Sequence, residues 1–314
     1  MSALMNIAIR GLVPTMKPHL RIFLSTLVCL CCATAGAQSK YPYRLLLSDL
    51  LNQRIIILEK DGTVSWEYPE PGFVMDGQRL PNGNLLYCWY SMTKDKQAGV
   101  KEITPDKQIV FEYKIAQECH SVQRLPNGAT LIEDPANQRL IEVDRRGRII
   151  HELKLQVGHD QAHRVARQCR KLPNGNYLVA QEFDQAVVEY APDGKVLRRI
   201  PVNGMVFAVS RLANGNTLIG TGGGKDMGKS VIEVDPKGDT VWSFGPADFP
   251  PDTNLEWILG AQWLSNGNTL IVNWLGHGKD GKGISLLEVT PQKKVVWTLK
   301  ERRTICLVQV LPER

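Results

Sequence analysis

The hexapeptide RLPNGN at residues 79–84 recurs along the chain and decides the predicted fold. Its copies are RLPNG at 124–128, KLPNGN at 171–176, RLANGN at 211–216 and WLSNGN at 263–268. The asparagines of the Asn-Gly pairs stand at positions 82, 127, 174, 214 and 266, so the repeats are 40 to 52 residues long. Asn-Gly between apolar runs signals a β-hairpin, because both residues tolerate the positive φ of a tight turn. Each repeat is therefore predicted to open with a hairpin.

A second hairpin follows the first in every repeat. The segment IEVDPKGDTVWSF at 232–244 alternates apolar and polar residues around a Pro-Lys-Gly turn. Equivalent segments occupy residues 55–68, 100–113, 140–153, 187–200 and 286–299. Two hairpins per repeat make a four-stranded antiparallel blade, the unit of a β-propeller. The sequence thus predicts an all-β chain without a convincing amphipathic helix after residue 37.

The two ends of the chain predict how the propeller closes. Residues 44–68 supply three strands of a blade without a first strand. LVQVLP at 307–312 resembles SVQRLP at 121–126, which is a first strand. Pairing the C-terminal strand with the N-terminal ones completes a shared blade and removes the exposed edges of an open sheet. Five full repeats and one shared blade predict a six-bladed β-propeller over residues 38–314.

The N-terminal 37 residues predict a secretory signal peptide. Lys17 and Arg21 form a basic region, IFLSTLVCLCC at 22–32 is an apolar core, and AGA at 35–37 offers a cleavage site. Met16 is a second candidate start. The apolar run is shorter than the roughly 20 residues that a membrane-spanning helix needs, and a short uncleaved anchor remains the alternative. We expect export to the periplasm or the extracellular space, no stable membrane span in the mature chain, and a monomer.

The charge and the cysteines exclude some classes of function. The net charge of +6 falls to +3 without the predicted signal segment, which holds three basic residues and no acidic ones. So small a charge does not favour nucleic acid as a partner. The mature chain keeps four cysteines, whose spacing matches no metal motif and whose pairing in an oxidising compartment stays open: Cys88, Cys119, Cys169 and Cys306. We therefore expect no metal and no cofactor.

The loops opposite the Asn-Gly turns define a loop face, where ligand binding is expected. Seven residues before each turn asparagine, the inner strands carry Met75, His120, Arg167, Phe207 and Leu259, with Cys306 at the equivalent position of the last strand. One residue later come Asp76, Ser121, Gln168, Ala208, Gly260 and Leu307. Polar residues thus fall on three consecutive blades and apolar residues on the other three. The pattern predicts either a pocket for an anionic or aromatic small molecule, with one cationic and one apolar wall, or simple packing at the ring axis.

Further candidate ligand-binding residues lie in the loops of this face. His159 and His163 precede the Arg167 strand. Trp257 falls outside the register that Trp66, Trp242 and Trp297 share in the second hairpins, which suits a ligand platform. GGKDMGKS at 223–230 matches the phosphate-loop pattern, but it joins two antiparallel strands rather than opening a helix. We therefore expect a Gly-rich loop whose Lys225 contacts an anion, with His277 in a similar loop of the next blade.

The repeat motif resembles the propeller repeats of bacterial arylsulfotransferases and their PQQ-like relatives. That resemblance implies a His nucleophile that accepts sulfate, followed by an Asp in the second strand. The matching positions here are His120 and Asp134, and Arg167 would stabilise the sulfuryl oxygens. The Asp expected directly after the His is Ser121. A quinone-dependent dehydrogenase, the other enzyme among such relatives, is disfavoured because the mature chain lacks an adjacent cysteine pair and a calcium-site carboxylate cluster.

Two functions remain open from sequence, and whether the chain is an enzyme is undecided. The first is an exported binding or scaffold propeller that engages a small molecule or a protein partner on its loop face. The second is an arylsulfotransferase-like enzyme that uses His120.

Overall fold

The structure, a computed structural model, describes residues 40–313 except 92, 159–160, 224–227, 277, 280 and 302. The predicted signal segment lies outside these residues. No helix in the described part of the chain is long and apolar enough to cross a membrane. The helices seen there are single 3-10 turns, at Leu50–Asn52, Pro135–Asn137, Ala162–Arg164 and Pro251–Thr253.

Strands make up nearly all the regular structure of the described residues. The first twelve are β1 Arg44–Asp49, β2 Arg54–Leu58, β3 Val64–Pro69, β4 Phe73–Arg79, β5 Leu85–Tyr90, β6 Gln97–Ile103, β7 Ile109–Ala116, β8 Val122–Arg124, β9 Thr130–Asp134, β10 Arg139–Val143, β11 Ile149–Lys154 and β12 Cys169–Lys171. The others are β13 Tyr177–Gln181, β14 Ala186–Tyr190, β15 Val196–Pro201, β16 Met205–Arg211, β17 Thr217–Gly222, β18 Val231–Val234, β19 Thr240–Phe244, β20 Trp257–Trp263, β21 Thr269–Trp274, β22 Leu286–Val289, β23 Val295–Leu299 and β24 Val308–Leu311.

These strands form antiparallel sheets in which chain neighbours are sheet neighbours. Strands β4–β7, β8–β11 and β12–β15 each form a four-stranded sheet, and β16–β23 form an eight-stranded one. In the eight-stranded sheet, β17 and β20 are joined through the pair Gly222 and Trp257. The remaining sheet has the order β24-β1-β2-β3. The antiparallel four-stranded unit predicted from the paired hairpins is therefore present.

The C-terminal strand closes the sheet that the N-terminal strands begin. β24 pairs antiparallel with β1, with Arg44 opposite Leu311 and Leu47 opposite Val308. The Ser48 hydroxyl accepts hydrogen bonds from the backbone amides of Cys306 and Leu307, each at 3.0 Å. The predicted pairing of the two ends is thus observed.

The repeated Asn-Gly motif forms a type of turn slightly different from the expected one. The amide of Gly83 donates to the carbonyl of Leu80 at 2.9 Å, so that Pro81 and Asn82 are the two central residues of the turn. Only the glycine has a positive φ, between 83° and 90° in the five copies. Proline at the second position and glycine at the fourth are favourable in a type I turn. The hairpin was predicted correctly, but the asparagine is not left-handed.

The first residue of the motif connects neighbouring sheets. Arg124 donates to the buried Glu102 of the preceding sheet at 2.6 Å, and Arg211 donates to Glu189 at 2.7 Å. Asn84 binds the same Glu102 from within its own sheet at 2.7 Å. The recurrence of Arg or Lys before Leu-Pro-Asn-Gly-Asn, and of Glu on the third strand, therefore has a structural cause.

Apolar side chains fill the spaces between adjacent sheets. One cluster joins Leu131 of β9 to Val188 of β14, and another joins Leu47 of β1 to Leu270 of β21. The second of these clusters packs the sheet of the chain termini against the last strands before it. Among the described residues, Cys88, Cys119, Cys169 and Cys306 are buried free thiols.

Candidate functional site

A cavity of about 130 Å³ opens where the inner strands begin, on the loop face. Five aromatic side chains line it and are called its aromatic wall: Phe73 stacks on Tyr90, and Phe207, Trp257 and Trp274 form a second stack. The other lining residues include Glu118, His163 and Arg167, which are called its polar wall. Below it, a neck of about 20 Å³ is lined by Met75, Asp76, His120, Arg167, Gln168, Phe207 and Leu259. The structure thus brings together most of the inner-strand positions selected from the sequence.

β-Bulges place the apolar residues of the neck. The register of the inner strand shifts around Met75 in β4, Phe207 in β16 and Leu259 in β20. A bulge adds one residue to a strand and turns a side chain in a new direction. The polar residues His120 and Arg167 instead precede the short inner strands β8 and β12. Met75, Phe207 and Leu259 therefore differ from His120 and Arg167 in backbone conformation.

The predicted ligand platform Trp257 is the middle ring of an aromatic stack. Its ring lies 5.4 Å from that of Phe207 and 4.8 Å from that of Trp274, with interplanar angles of 19° and 9°. Both faces of the indole are therefore covered, and only its edge can meet a molecule in the cavity. The prediction of a stacking platform was wrong for this reason, although Trp257 does line the cavity.

Two histidines share one carboxylate on the polar wall. Oε2 of Glu118 lies 3.2 Å from Nε2 of His120 and 2.5 Å from Nδ1 of His163. The other ring nitrogen of His120, Nδ1, lies 3.4 Å from Oε2 of Glu133. The same Glu133 oxygen accepts a hydrogen bond from the His120 backbone amide at 2.8 Å. His120 is 3% exposed and the His163 side chain is 49% exposed, so this contact network runs from the interior to the surface.

Arg167 joins the polar wall to the aromatic stack. Its Nε donates to Glu182 at 2.5 Å, and its Nη2 lies 3.3 Å from Nε2 of His163. Its guanidinium carbon stands 5.6 Å from the ring centroid of Phe207. Nη1 of Arg167 has no acceptor among the residues that the structure describes. Both N–H groups of Nη1 are therefore available to an acceptor beside Phe207.

The carboxylates determine the protonation of the cluster. Burial and the Arg167 charge both lower the pKa of His120, but Glu133 and Glu118 outweigh them and raise it overall. Burial raises the pKa of Glu118, yet its contacts with His120 and His163 hold that pKa well below its usual range. Burial raises the pKa of Glu133. The neighbouring carboxylates thus favour the protonated form of His120.

Asp134 does not belong to the cavity. Its carboxylate accepts hydrogen bonds from Asn137 at 2.9 Å and Arg139 at 2.8 Å. Asp49 makes the equivalent contacts with Asn52 and Arg54 in a sheet that has no histidine at the matching position. A shared role in the turn after the second strand accounts for both aspartates.

The remaining predicted residues either line the neck or lie outside the described part of the chain. Asp76 lines the neck but pairs with Arg170 at 2.6 Å and accepts the Ser121 hydroxyl at 3.1 Å. Gln168 also lines the neck, and its side-chain oxygen accepts the Val209 amide at 2.9 Å. Both therefore support neighbouring blades. The predicted ligand-binding residues His159, Lys225 and His277 lie outside the described part of the chain.

Sequence reasoning missed the three glutamates of the polar wall. Glu118 stands two residues before His120, and Glu133 stands one before Asp134, so both were close to residues already selected. Glu182 follows β13 and reaches Arg167 from within the same repeat. With these three carboxylates present, the predicted cationic wall is not cationic.

A second opening lies at the turn face of the same ring. It is a channel of about 550 Å³ lined by Gln78, Gln123 and Gln309, among other residues. Their side-chain oxygens accept the backbone amides of Arg124, Lys171 and Arg79 at 2.9, 2.8 and 2.7 Å. These glutamines connect successive inner strands to one another, which explains their recurrence.

Comparisons with known proteins support the fold. No protein-family model matches the chain, and no curated protein matches it. Among solved structures, it is similar to a protein of unknown function from Bacteroides caccae, with 25% identity and a TM-score of 0.70 over 85% of this chain and 98% of that one. It is also similar to the WD40 beta propeller domain of Doa1, with 13% identity and a TM-score of 0.50 over 73% and 85% of the two chains. The chain is a β-propeller.

Enzymes also occur among the propellers of this shape. One is virginiamycin B lyase from Staphylococcus aureus, solved with quinupristin as a catalytically inactive histidine-to-alanine variant. The identity is 13% and the TM-score 0.56, over 85% of this propeller and 86% of the lyase. So low an identity supports the fold alone. The resemblance to arylsulfotransferases finds no support in a family model or a curated relative.

Proposed function

We propose that this propeller binds a small aromatic molecule bearing an oxygen substituent, such as a phenol or an aromatic carboxylic acid, in the cavity of the loop face. The observation that carries the proposal is the cavity itself, which is lined by five aromatic side chains together with a polar cluster. Its volume of about 130 Å³ suits a single ring, since a protein cavity of about 150 Å³ holds benzene.

The aromatic wall favours an electron-rich occupant. Because Phe207 and Trp274 cover both faces of Trp257, its edge is what remains to contact a ligand. The edge of an aromatic ring carries positive potential, which attracts the π-face or an oxygen of a partner. An aromatic ligand in edge-to-face contact with Trp257 satisfies this preference.

The polar wall favours one oxygen rather than a strongly anionic group. Nη1 of Arg167 can donate to such an oxygen, because no described residue accepts from it. Arg167 and His120 already face three carboxylates, those of Glu182, Glu118 and Glu133. A phenol or a single carboxylate therefore fits better than a sulfate or phosphate.

The sulfotransferase alternative receives less support from the geometry. A histidine nucleophile must present an unprotonated ring nitrogen to sulfur. Both nitrogens of His120 face carboxylates instead, and its pKa is raised. The second-strand aspartate of the resemblance, Asp134, is held by Asn137 and Arg139. Sulfate transfer from an aryl sulfate to a phenol is the assay for this alternative.

The proposal also covers architecture and location. The ring would have six blades, which is supported by sheets of four or eight strands and by the single pair that joins β17 to β20. The basic and apolar N-terminal pattern supports export of the mature chain, which would be a monomer. Mapping the N-terminus of the exported protein and measuring its mass in solution test these two points.

Ligand binding is tested by thermal shift and calorimetry with phenol, benzoate, benzylammonium and cyclohexanecarboxylate. We expect phenol and benzoate to raise the melting temperature and the other two to have little effect. Trp257→Leu should weaken binding about tenfold, a loss comparable to that of one aromatic pair. Trp263→Leu is the matched control, because that ring is 42% exposed and lines the turn-face channel.

Two outcomes would contradict the proposal. One is that none of the aromatic compounds binds, which would favour a protein partner on the loop face. The other is binding with the same affinity in the Trp257 and Trp263 variants, which would place the ligand elsewhere.

A further inference from the structure

One carboxylate and two imidazoles converge beside the cavity from two separate parts of the sequence. The donor atoms of Glu118, His120 and His163 all lie within 4.8 Å of one another. We propose that these three residues bind a divalent transition-metal ion such as Zn²⁺. Two nitrogens and one oxygen are a donor set that suits such an ion. The proposal does not depend on the aromatic ligand.

The distances need only a small rearrangement to hold a metal. Bonds of about 2.1 Å in tetrahedral geometry place donor atoms about 3.4 Å apart. The Glu118–His120 separation of 3.2 Å already agrees with this value, whereas the Glu118–His163 separation of 2.5 Å is shorter. His163 is the residue that must move, and its side chain is 49% exposed.

His120 provides an independent indication of a ligand. Only 3% of its surface is exposed, yet neither ring nitrogen has a partner in hydrogen-bond geometry among the described residues. Buried polar side-chain atoms normally have a hydrogen-bond partner, and each exception requires an explanation. A metal ion at Nε2 would satisfy the nitrogen that points toward Glu118.

Glu133 stands where an outer carboxylate is expected. Metal-bound histidines usually give their second ring N–H to a carboxylate or a carbonyl, which fixes the tautomer and the ring orientation. Nδ1 of His120 faces Oε2 of Glu133 at 3.4 Å, and the His120 amide holds the same oxygen at 2.8 Å. Glu133 would therefore direct the lone pair of Nε2 toward the metal.

The charges of the cluster also suit a divalent cation. Metal binding displaces the proton of a histidine ligand, so both histidines are neutral in the occupied site. Glu118, Glu133 and Glu182 then carry three negative charges against the single positive charge of Arg167. One divalent ion balances the remainder. Because the guanidinium only donates, its contact at 3.3 Å makes Nε2 of His163 an acceptor. Metal binding at Nδ1 would move the proton to Nε2 and break this contact with Arg167.

Three protein ligands leave one position open. Glu118 and His163 line the cavity, and His120 lines the neck beneath it, so the open position faces the space between them. Sites with three protein ligands and one open position are typical of metals that bind a water or a small molecule. An oxygen-bearing ligand could occupy that position, and this single step rests on the proposed function.

The metal site is tested with Co²⁺ and Zn²⁺ on the purified chain after chelation and dialysis. We expect one Co²⁺ to bind per chain with visible d–d bands, and Zn²⁺ to displace it. A near-ultraviolet charge-transfer band from thiolate should be absent. His163→Ala and Glu118→Gln should each weaken binding by about 100-fold or more, and Glu133→Gln by about 10- to 100-fold.

The variants are chosen so that misfolding can be recognised. His163 is half exposed, so its alanine variant should keep the melting temperature of the metal-free protein. His151→Ala is the matched control, since His151 stacks on Tyr177 outside the cluster and should leave metal affinity unchanged. Absent or unsaturable metal binding overturns the proposal. So does an affinity that His163→Ala leaves unchanged, or a thiolate band that places the metal on cysteine.

Discussion

Oε2 of Glu133 accepts a hydrogen bond from the backbone amide of His120 at 2.8 Å and lies 3.4 Å from Nδ1 of its imidazole. One buried carboxylate thus accepts a hydrogen bond from the backbone of the histidine and lies beside its ring at the neck of the cavity. Asp134, the next residue on β9, binds Arg139 instead. Consecutive residues of a strand point to opposite faces, so the two acids have different roles.

Replacing Glu133 by alanine should therefore cost far more stability than replacing Asp134 by asparagine. Glu133→Ala leaves the buried His120 without its carboxylate, which should lower the free energy of unfolding by about 3 kcal/mol. Asp134→Asn keeps the side-chain shape and should cost about 1 kcal/mol or less. Urea denaturation of both variants provides the measurement. Equal costs would show that Glu133 does not hold the histidine as described.

The fold could be predicted from sequence because its determinants are local. The Asn-Gly turns and the alternating segments that follow them each specify a hairpin within a few residues, and their repetition specifies the sheets. The fixed distance from each turn also placed His120, Arg167 and Phe207 at a common level of the ring, where the neck is found. Strand geometry alone was sufficient for this part of the site.

The partners of those residues could not be predicted in the same way. The family resemblance selected Asp134, and an error of one position on a strand moves a side chain to the other face. Glu118 and His163 meet across two repeats, a contact that no spacing within one repeat reveals. The covering of Trp257 by Phe207 and Trp274 likewise depends on side-chain packing between sheets. These contacts are determined by tertiary structure.

The link between sheets at Glu102 gives a second prediction. Its buried carboxylate accepts hydrogen bonds from Asn84 at 2.7 Å and Arg124 at 2.6 Å, and it also pairs with Arg145. Glu102→Ala leaves the two guanidinium groups without their shared acceptor and should destabilise the protein by about 3 kcal/mol. The exposed Glu112 of β7 serves as the control, with a cost of about 0.5 kcal/mol or less when replaced by alanine. A small change at Glu102, measured by chemical denaturation, would mean that these links add little.

Protonation of Glu301 should lower the stability of the protein in acid. The Glu301 carboxylate accepts hydrogen bonds from Lys40 at 2.6 Å and Arg303 at 3.0 Å, and also from the Tyr41 hydroxyl. Burial raises the pKa of Glu301, but the hydrogen bonds from Lys40 and Tyr41 outweigh it and lower the pKa to about 2. A carboxylate with a lowered pKa stabilises the folded state above its unfolded pKa of 4.5, and this contribution is lost as the pH falls toward 2.

Glu301→Gln should accordingly reduce stability by about 1 kcal/mol near neutral pH, a modest figure because solvent screens a partly exposed pair. The difference from the unsubstituted protein should vanish as the pH approaches 2. Melting temperatures measured across the acid range test this, with Glu313→Gln as the control on the exposed partner of Lys60. A constant difference at every pH would rule out titration of Glu301 as the cause.

Closure by the C-terminal strand gives the last prediction. β24 covers β1; Leu307 directly before β24 and Leu311 at its end are 3% and 5% exposed. A chain that ends at Cys306 should lose about 4 kcal/mol of stability, because each buried leucine contributes about 2 kcal/mol, and its uncovered strand edge should promote association. A synthetic peptide of residues 307–314 should restore the melting temperature and the monomeric state, whereas a peptide with the same residues in scrambled order should not. Rescue by both peptides would indicate nonspecific binding to an apolar edge, and unchanged stability of the shortened chain would mean that the closing pair contributes little to the ring.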